Sequence, residues 1–102
     1  MLILPIKKKW LDMIACGVKQ EEYREIKPYW TKRFGFISEV KDEKVLQVNK
    51  NIFLKNGYSK TSPTLKCYVQ ITKGYGKSEW GANPKKLYYV IKILNIERLN
   101  TI

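Results

Sequence analysis

Histidine is absent from this chain, and cysteine occurs only twice in its 102 residues. Histidine is the commonest metal ligand and the commonest general base in proteins. Its absence therefore excludes a zinc site, a His-based catalytic triad and a nuclease with paired histidines. Cys16 and Cys67 form no C-x-x-C pattern, so we expect two unbridged thiols, buried or half-buried, and not a disulfide. No metal or other cofactor is predicted.

A long apolar run is also missing, since none approaches the ~20 residues that a membrane span requires. Residues 1–6 are too short for the core of a signal peptide, and lysines follow them instead of preceding them. We therefore interpret this segment as the first strand of a cytoplasmic protein. A length of 102 residues and a hydrophobic fraction of 44% predict a single folded domain over residues 1–102, and we expect a monomer.

Acidic residues are scarce, with 9 against 20 basic residues and a net charge of +11. A surplus of this size favours polyanionic partners such as nucleic acid or an acidic membrane surface. However, only Arg24, Arg33 and Arg98 are arginines, and all the other basic residues are lysines. An AT-rich coding sequence also enriches lysine, and such lysines would be scattered over the surface as solubilising charge. Composition therefore favours nucleic acid as a partner and leaves a solvated lysine surface open.

The front of the chain predicts a strand followed by a helix. Residues 2–6 are apolar and short, which is typical of a buried strand. In residues 8–16, Trp10 and Ile14 recur at helical spacing, and we expect Trp10 to belong to the core. Gly17 follows at the position where a left-handed cap ends a helix.

A charged strand is predicted next, over residues 19–26. Gln20, Glu22 and Arg24 share one face of it, and the opposite face is also polar. Because neither face is apolar, such a strand is expected to line an opening and not to fill a core. A second short helix is predicted from Pro28 to the residue before Gly35.

The second half of the chain predicts strands joined by loops. Strands are expected at residues 45–48, 52–54, 65–72 and 87–96, the last of them central because it is almost entirely apolar. A loop is expected over residues 36–44, with a turn at Asp42-Glu43. Asn56-Gly57 predicts a hairpin turn, and the glycine-rich residues 74–76 and 80–84 predict a further connection. This order predicts an α+β fold, a small barrel of about five to six mostly antiparallel strands with an early helix packed against it.

One segment, residues 17–24, carries most of the functional information. Unpaired charges resist leaving water, so Lys19, Glu22 and Arg24 either lie on an open wet face or pair with one another in a cleft. Coupled charges in clefts are common at ligand sites. Arg24 offers a planar fork for a phosphate or a base edge, Lys19 a mobile point charge, and Glu22 an acceptor that holds both. The alternative is a structural ion-pair network that closes one end of the barrel.

Gly17, Lys19, Glu22 and Arg24 match, in register, the GxKxxExR signature of the ASCH family. The chain resembles small phage and bacterial members of this family over most of its length. The resemblance extends to the segments Lys27-Pro28-Tyr29-Trp30, Asn56-Gly57-Tyr58-Ser59 and Glu79-Trp80-Gly81. It implies a PUA-like β-barrel in which the motif lines a cleft between the barrel and the helix, where RNA or a nucleobase binds.

The resemblance also implies two enzymatic alternatives. Some relatives deacetylate acetylated cytidine with a threonine nucleophile at the position of Glu22, and a carboxylate cannot replace that alkoxide. We therefore do not expect this activity. Other relatives resemble ribonucleases, in which Lys19 and Glu22 would supply acid–base catalysis and Arg24 would stabilise a phosphorane-like charge. Without histidine, such cleavage would be slow or metal-assisted.

We therefore predict a domain that binds RNA or a modified nucleotide through Lys19, Glu22 and Arg24, and that has no membrane partner. Aromatic and basic side chains are expected to form the rim of the site, with bases stacking on the rings. These rim residues are Tyr29, Trp30, Lys32, Arg33 and Trp80. A nuclease that uses the same three charged residues is the main alternative, and an adaptor that contacts protein through its lysine surface is the third.

Overall fold

A computed structural model describes residues 2–36 and 47–99 as a five-stranded sheet with two α-helices and one 3-10 turn. The strands are β1 (Leu2–Pro5), β2 (Glu21–Glu25), β3 (Val48–Lys55), β4 (Thr64–Tyr75) and β5 (Leu87–Arg98). The helices are α1 (Lys8–Ala15) and α2 (Pro28–Phe34), and the 3-10 turn is Ser78–Trp80. The predicted turn at Asp42-Glu43, most of the predicted loop at 36–44, and Val45 and Leu46 lie outside the described residues.

The sheet has the order β1-β3-β4-β5-β2, so β1 and β2 are its edge strands. β1 runs parallel to β3, and every other neighbouring pair is antiparallel. The sheet curls into a half-barrel, which confirms the predicted α+β class with mostly antiparallel strands. β5 lies inside the sheet, between β4 and β2, but the central position belongs to β4.

The core lies on the sheet face that the two helices cover. Alternate residues of β4 point into it, namely Leu65, Cys67, Val69 and Ile71, and all are fully buried as their alternation predicted. The neighbouring strands and the helices add further buried side chains, which include Leu4, Leu11, Ile14, Phe34, Ile52, Leu54, Tyr89 and Ile91. Each fully buried aliphatic side chain contributes about 1.5–3 kcal/mol relative to exposure. This apolar cluster therefore supplies most of the stabilisation.

The β4–β5 pair is longer than predicted and contains a bulge. Its pairing includes Gly74, which the sequence assigned to a loop, because cross-strand contacts outweigh the weak strand propensity of glycine. Tyr68 pairs with Asn95 and Val69 with Ile93, so Leu94 is an extra residue on β5. Such a bulge bends a strand and increases its twist, which favours the curl of the sheet.

Both helices end as predicted, and the end of α1 directs the chain back towards the site. Gly17 has a φ of 84°, which confirms the left-handed cap. The backbone N–H of Lys19 then donates to the carbonyl of Met13 at 3.0 Å, so β2 starts close to α1. Neither helix of the described residues has the length and apolar character of a membrane span.

The predicted hairpin at Asn56-Gly57 connects β3 and β4, but through a loop over residues 56–63 and not through a two-residue turn. Asn56 is used differently from a hairpin asparagine. Its side-chain amide donates to the carbonyl of Ile6 at 2.9 Å, and its backbone N–H donates to the carbonyl of Pro63 at 3.0 Å. The loop is therefore fastened to the chain just after β1.

Candidate functional site

A cleft of about 420 Å³ lies where β2, the end of β1 and the first residues of both helices come together. It contains two of the three charged motif side chains, together with aromatic rings and lysines. Its lining consists of Pro5, Ile6, Lys7, Trp10, Glu22, Tyr23, Arg24, Glu25, Lys27, Trp30 and Tyr88. The charged segment thus lines an opening, as its sequence predicted.

Glu22 joins the two cations of the motif. Its Oε1 lies 3.2 Å from Lys19 Nζ, and its Oε2 lies 2.8 Å from Arg24 Nη2. The Glu22 side chain is 10% exposed, so the three charges interact where water screens them weakly. The three side chains therefore converge on one place, in the paired arrangement that the spacing allowed.

Lys19 is a fixed, buried cation. Its side chain has no exposed surface, and Nζ donates to the carbonyl of Trp80 at 2.6 Å. Nζ also lies 4.8 Å from the ring centre of Trp10 and 5.0 Å from that of Tyr23. Burial lowers the pKa of Lys19, and the nearby Glu22 carboxylate partly opposes this effect. The expectation of a mobile point charge is therefore wrong, because Lys19 does not reach the cleft.

Arg24 connects the two edge strands of the half-barrel. Nη2 donates to Glu22 on its own strand and, at 2.7 Å, to the carbonyl of Pro5 at the end of β1. The guanidinium carbon lies 5.3 Å from the ring centre of Trp30. The Nε atom of Arg24 is buried and makes no hydrogen bond. An unsatisfied buried donor costs about 1–3 kcal/mol, so the position of Arg24 is imposed by its other contacts.

The walls of the cleft are aromatic, and its rim is basic. The Trp30 ring is stacked on Phe34 with ring centres 5.4 Å apart, so it is held in place by the core. Lys7 and Lys27 are exposed and occupy the N-cap positions of α1 and α2, where neither makes a side-chain cap. Positive charge at helix N-termini is unfavourable for the helices, and it increases the attraction of the cleft for anions.

The acidic residue at the rim is neutralised by lysines. Glu25 Oε2 lies 3.3 Å from Lys27 Nζ and 3.3 Å from Lys86 Nζ. Hydrogen bonds from Lys86 and then Lys27 lower the pKa of the Glu25 carboxyl. Its negative charge is therefore compensated and does not dominate the rim.

Tyr23 fixes β2 to the connection between β4 and β5. Its hydroxyl donates to Glu21 Oε1 at 2.8 Å and accepts the backbone N–H of Lys77 at 3.0 Å, while burial raises its pKa. A Cβ atom on Gly76 would lie 2.6 Å from the Tyr23 ring, so the close contact requires glycine. Tyr23 in turn lies 5.7 Å from the Tyr88 ring, which completes one aromatic wall.

The predicted rim residues fall in different places. Trp30 lines the cleft, whereas Tyr29, Lys32 and Arg33 are exposed on α2 and are not part of the lining. The ring of Trp80 does not line the cleft either, because this residue contributes through the backbone carbonyl that anchors the buried lysine.

Sequence reasoning missed several lining residues: Lys7, Trp10, Tyr23, Lys27 and Tyr88. A signal existed for Lys7, because lysines at a helix start conflict with the helix dipole and suggest another role. Trp10 was assigned to the core, and it is half-buried there while one part faces the cleft. No local signal identifies Tyr88, since its position depends on the pairing of β5 with β2.

Among residues 2–36 and 47–99, no three His, Cys, Asp or Glu side chains lie close enough to hold a metal ion. Cys16 is exposed, Cys67 is buried, and both are free thiols. Comparisons of the chain with protein-family models, with curated proteins and with solved structures find no match. The function of the cleft therefore has to be inferred from its own geometry.

Proposed function

We propose that this chain is an ASCH-type, PUA-like domain that binds RNA or a modified nucleotide in the cleft beside β2. The observation that carries the proposal is Arg24, whose guanidinium lines an aromatic-walled, basic-rimmed cleft and is held there by Glu22 and the carbonyl of Pro5. Arginine is the usual residue for planar recognition of phosphates and base edges. The motif spacing and the +11 net charge support the same class of ligand.

The size and lining of the cleft fit a nucleotide. A volume of about 420 Å³ lies within the ~300–1,000 Å³ of typical small-molecule sites. The rings of Trp30 and Trp10 line the cleft, and contact of a base with such rings contributes up to about 1–3 kcal/mol. Arg24 then has a donor for the base edge or the phosphate, and Lys7 and Lys27 attract the phosphate from the rim.

The nuclease alternative has less support than binding. A general base must lie within hydrogen-bond reach of the proton that it removes. The Lys19 side chain is fully buried and does not line the cleft, and both carboxylate oxygens of Glu22 are paired with cations. The three residues are thus placed to hold one another and to orient Arg24. The adaptor alternative has no specific observation in its favour.

The first test is the salt dependence of binding to short single-stranded RNA, followed by fluorescence anisotropy. We expect the log–log slope to be about −0.7 per phosphate neutralised. The double variant Lys7→Gln/Lys27→Gln should weaken binding and reduce the slope by up to about 1.4. Lys92→Gln is the matched control, because Lys92 is exposed on β5 and is not part of the cleft lining. A flat salt dependence, or equal losses in both variants, would contradict the proposal.

A second measurement separates binding from cleavage. Labelled RNA incubated with the wild-type protein should be retained and stay intact. Cleavage that disappears in Glu22→Gln, at a temperature where that variant is folded, would favour the nuclease instead. Intact RNA together with a loss of retention in the double lysine variant would support the binding domain.

A further inference from the structure

A second cleft adjoins the first and is not used by the proposed nucleotide site. It has a volume of about 340 Å³. It shares Pro5, Ile6 and Lys7 with the first cleft and is completed by Lys55 at the end of β3 and by residues of the β3–β4 loop, among them Tyr58. The shared residues lie at the end of β1, so the two clefts form one track across it.

Tyr58 presents a bare aromatic ring on a fastened loop. Its side chain is 97% exposed, so the ring contributes nothing to the core. The loop below it is nevertheless held by hydrogen bonds. Asn56 binds the carbonyl of Ile6, and the backbone N–H of Ser59 donates to Ser62 Oγ at 3.1 Å. An exposed ring on a loop that is fastened to the fold is the arrangement on which a nucleic-acid base stacks.

The charges along the track match a phosphate backbone. Lys7 belongs to both clefts, and Lys55 lines the second one. A lysine between two aromatic positions is suitably placed to neutralise the phosphate that links two stacked bases.

We propose that the two clefts bind adjacent nucleotides of a single-stranded nucleic acid. One base occupies the cleft beside Arg24 and Trp30, the next base stacks on Tyr58, and the linking phosphate lies at Lys7. This inference rests on the proposed function and extends it, since the ligand becomes a strand of at least two nucleotides and not a free nucleotide. In a duplex the faces of each base stack on the neighbouring base pairs and are not available to a protein ring, so a duplex does not fit the track.

The test compares nucleoside monophosphates with single-stranded RNA dinucleotides by isothermal titration calorimetry. With the wild-type protein, the dinucleotide should bind about 5- to 100-fold more tightly than the monophosphate of the same base. Tyr58→Ala should return the dinucleotide Kd to that of the monophosphate. Tyr58→Phe should retain the gain, because phenylalanine stacks as tyrosine does. Tyr75→Ala is the matched control, since Tyr75 is also an exposed tyrosine but lines neither cleft.

The outcomes separate this inference from the proposed function. If monophosphates bind and the dinucleotide binds no more tightly, the second position is overturned and the first site stands. The second position is also overturned if Tyr58→Ala still binds the dinucleotide as much more tightly than the monophosphate as the wild type does. If neither probe binds the wild-type protein, both proposals fail. If the dinucleotide binds more tightly than the monophosphate, and Tyr58→Ala removes this difference while Tyr75→Ala retains it, both proposals are supported.

Discussion

The two sides of this half-barrel are stabilised by different chemistry. The apolar side, formed by the inward faces of β3, β4 and β5, consists of fully buried neutral side chains such as Ile52, Leu65 and Ile91. The other side is the seam, by which we mean Glu22 and Arg24 of β2, Lys19 just before β2, and Pro5 at the end of β1. There an ion-pair network links Lys19, Glu22 and Arg24, and one hydrogen bond from Arg24 to the carbonyl of Pro5 connects the edge strands.

The difference explains why the cleft lies at the seam. Apolar packing is non-directional, stabilises in proportion to the buried area and leaves no donor for a ligand. Buried ion pairs add little net stability, because desolvation offsets their attraction. They do hold polar groups in fixed positions, and the Arg24 guanidinium at the cleft is one such group. The apolar side therefore stabilises the fold, and the seam forms the polar part of the cleft lining.

Glu22→Gln should have the largest effect on the seam. The variant leaves the fully buried Lys19 and the nearby Arg24 without the negative charge between them. Breaking a buried ion pair in this way costs about 3–5 kcal/mol. Urea unfolding followed by tryptophan fluorescence should show a lower midpoint with an unchanged m-value.

Glu97→Gln serves as the control for this measurement, because Glu97 is exposed on β5. Its free energy of unfolding should change by less than about 0.5 kcal/mol. If the urea midpoint of Glu22→Gln equals that of the control, the ion cluster does not stabilise the seam. The two sides would then not differ in the way described above.

Cys67 provides a pH-dependent test of the apolar side. Burial raises the pKa of its thiol to about 12, whereas an unfolded thiol ionises near ~8.5. Because the folded pKa is the higher one, the stabilisation is complete below the unfolded pKa and is lost as the pH rises towards the folded pKa. Between about pH 8 and about pH 11 the advantage of wild type over Cys67→Ala should shrink by about 3 kcal/mol.

The difference between wild type and Cys67→Ala cancels the titration of other groups that the two proteins share. Cys16→Ala is the control for the removal of a thiol that is exposed and not part of the core. If the difference in free energy of unfolding between wild type and Cys67→Ala stays constant with pH, water reaches this thiol. The apolar side would then not exclude water.

Local sequence signals were sufficient for most of the fold. Gly17 marks the end of α1, Pro28 begins α2, and the alternation from Leu65 to Ile71 identifies the buried face of β4. Each of these signals acts within a few residues, so the sequence contains all the information needed. The bulge at Leu94 is different, because it becomes visible only when two strands are paired.

The seam could be predicted only in part. The charged residues could be assigned to a cleft, since β2 has no apolar face. The burial of Lys19 could not be predicted, because its ammonium group also donates to the carbonyl of Trp80, which is distant in the sequence. The contact between Arg24 and Pro5 also requires the strand order that places β1 and β2 at opposite edges.

Lys19→Met should destabilise the seam less than Glu22→Gln does. The variant loses the ion pair and the hydrogen bond to Trp80, but it also removes a desolvated cation and keeps an unbranched side chain of similar length. We expect a loss of about 1–2 kcal/mol at neutral pH, measured by the same urea unfolding. A loss larger than that of Glu22→Gln would show that Lys19, and not Glu22, is the centre of the cluster.

The pH dependence of this variant should run opposite to that of Cys67. Burial lowers the pKa of Lys19 below 10.5, so in the window below 10.5 the unfolded chain binds more protons than the folded one. The stability of wild type relative to Lys19→Met should therefore rise with pH within that window. A fall would mean that the Glu22 carboxylate outweighs desolvation at this lysine.

The smallest effect is expected from Arg33→Gln. Its guanidinium lies 3.4 Å from the ring centre of Tyr29 and donates to the Tyr29 carbonyl at 3.0 Å, so this charge is engaged on the outer surface of α2. Arg33 does not line the cleft, and salt screens exposed charges. The affinity for single-stranded RNA should therefore change by less than ~2-fold, as for Lys92→Gln. A tenfold loss in anisotropy titrations would place the outer face of α2 in the binding surface, and recognition would then extend well beyond the seam.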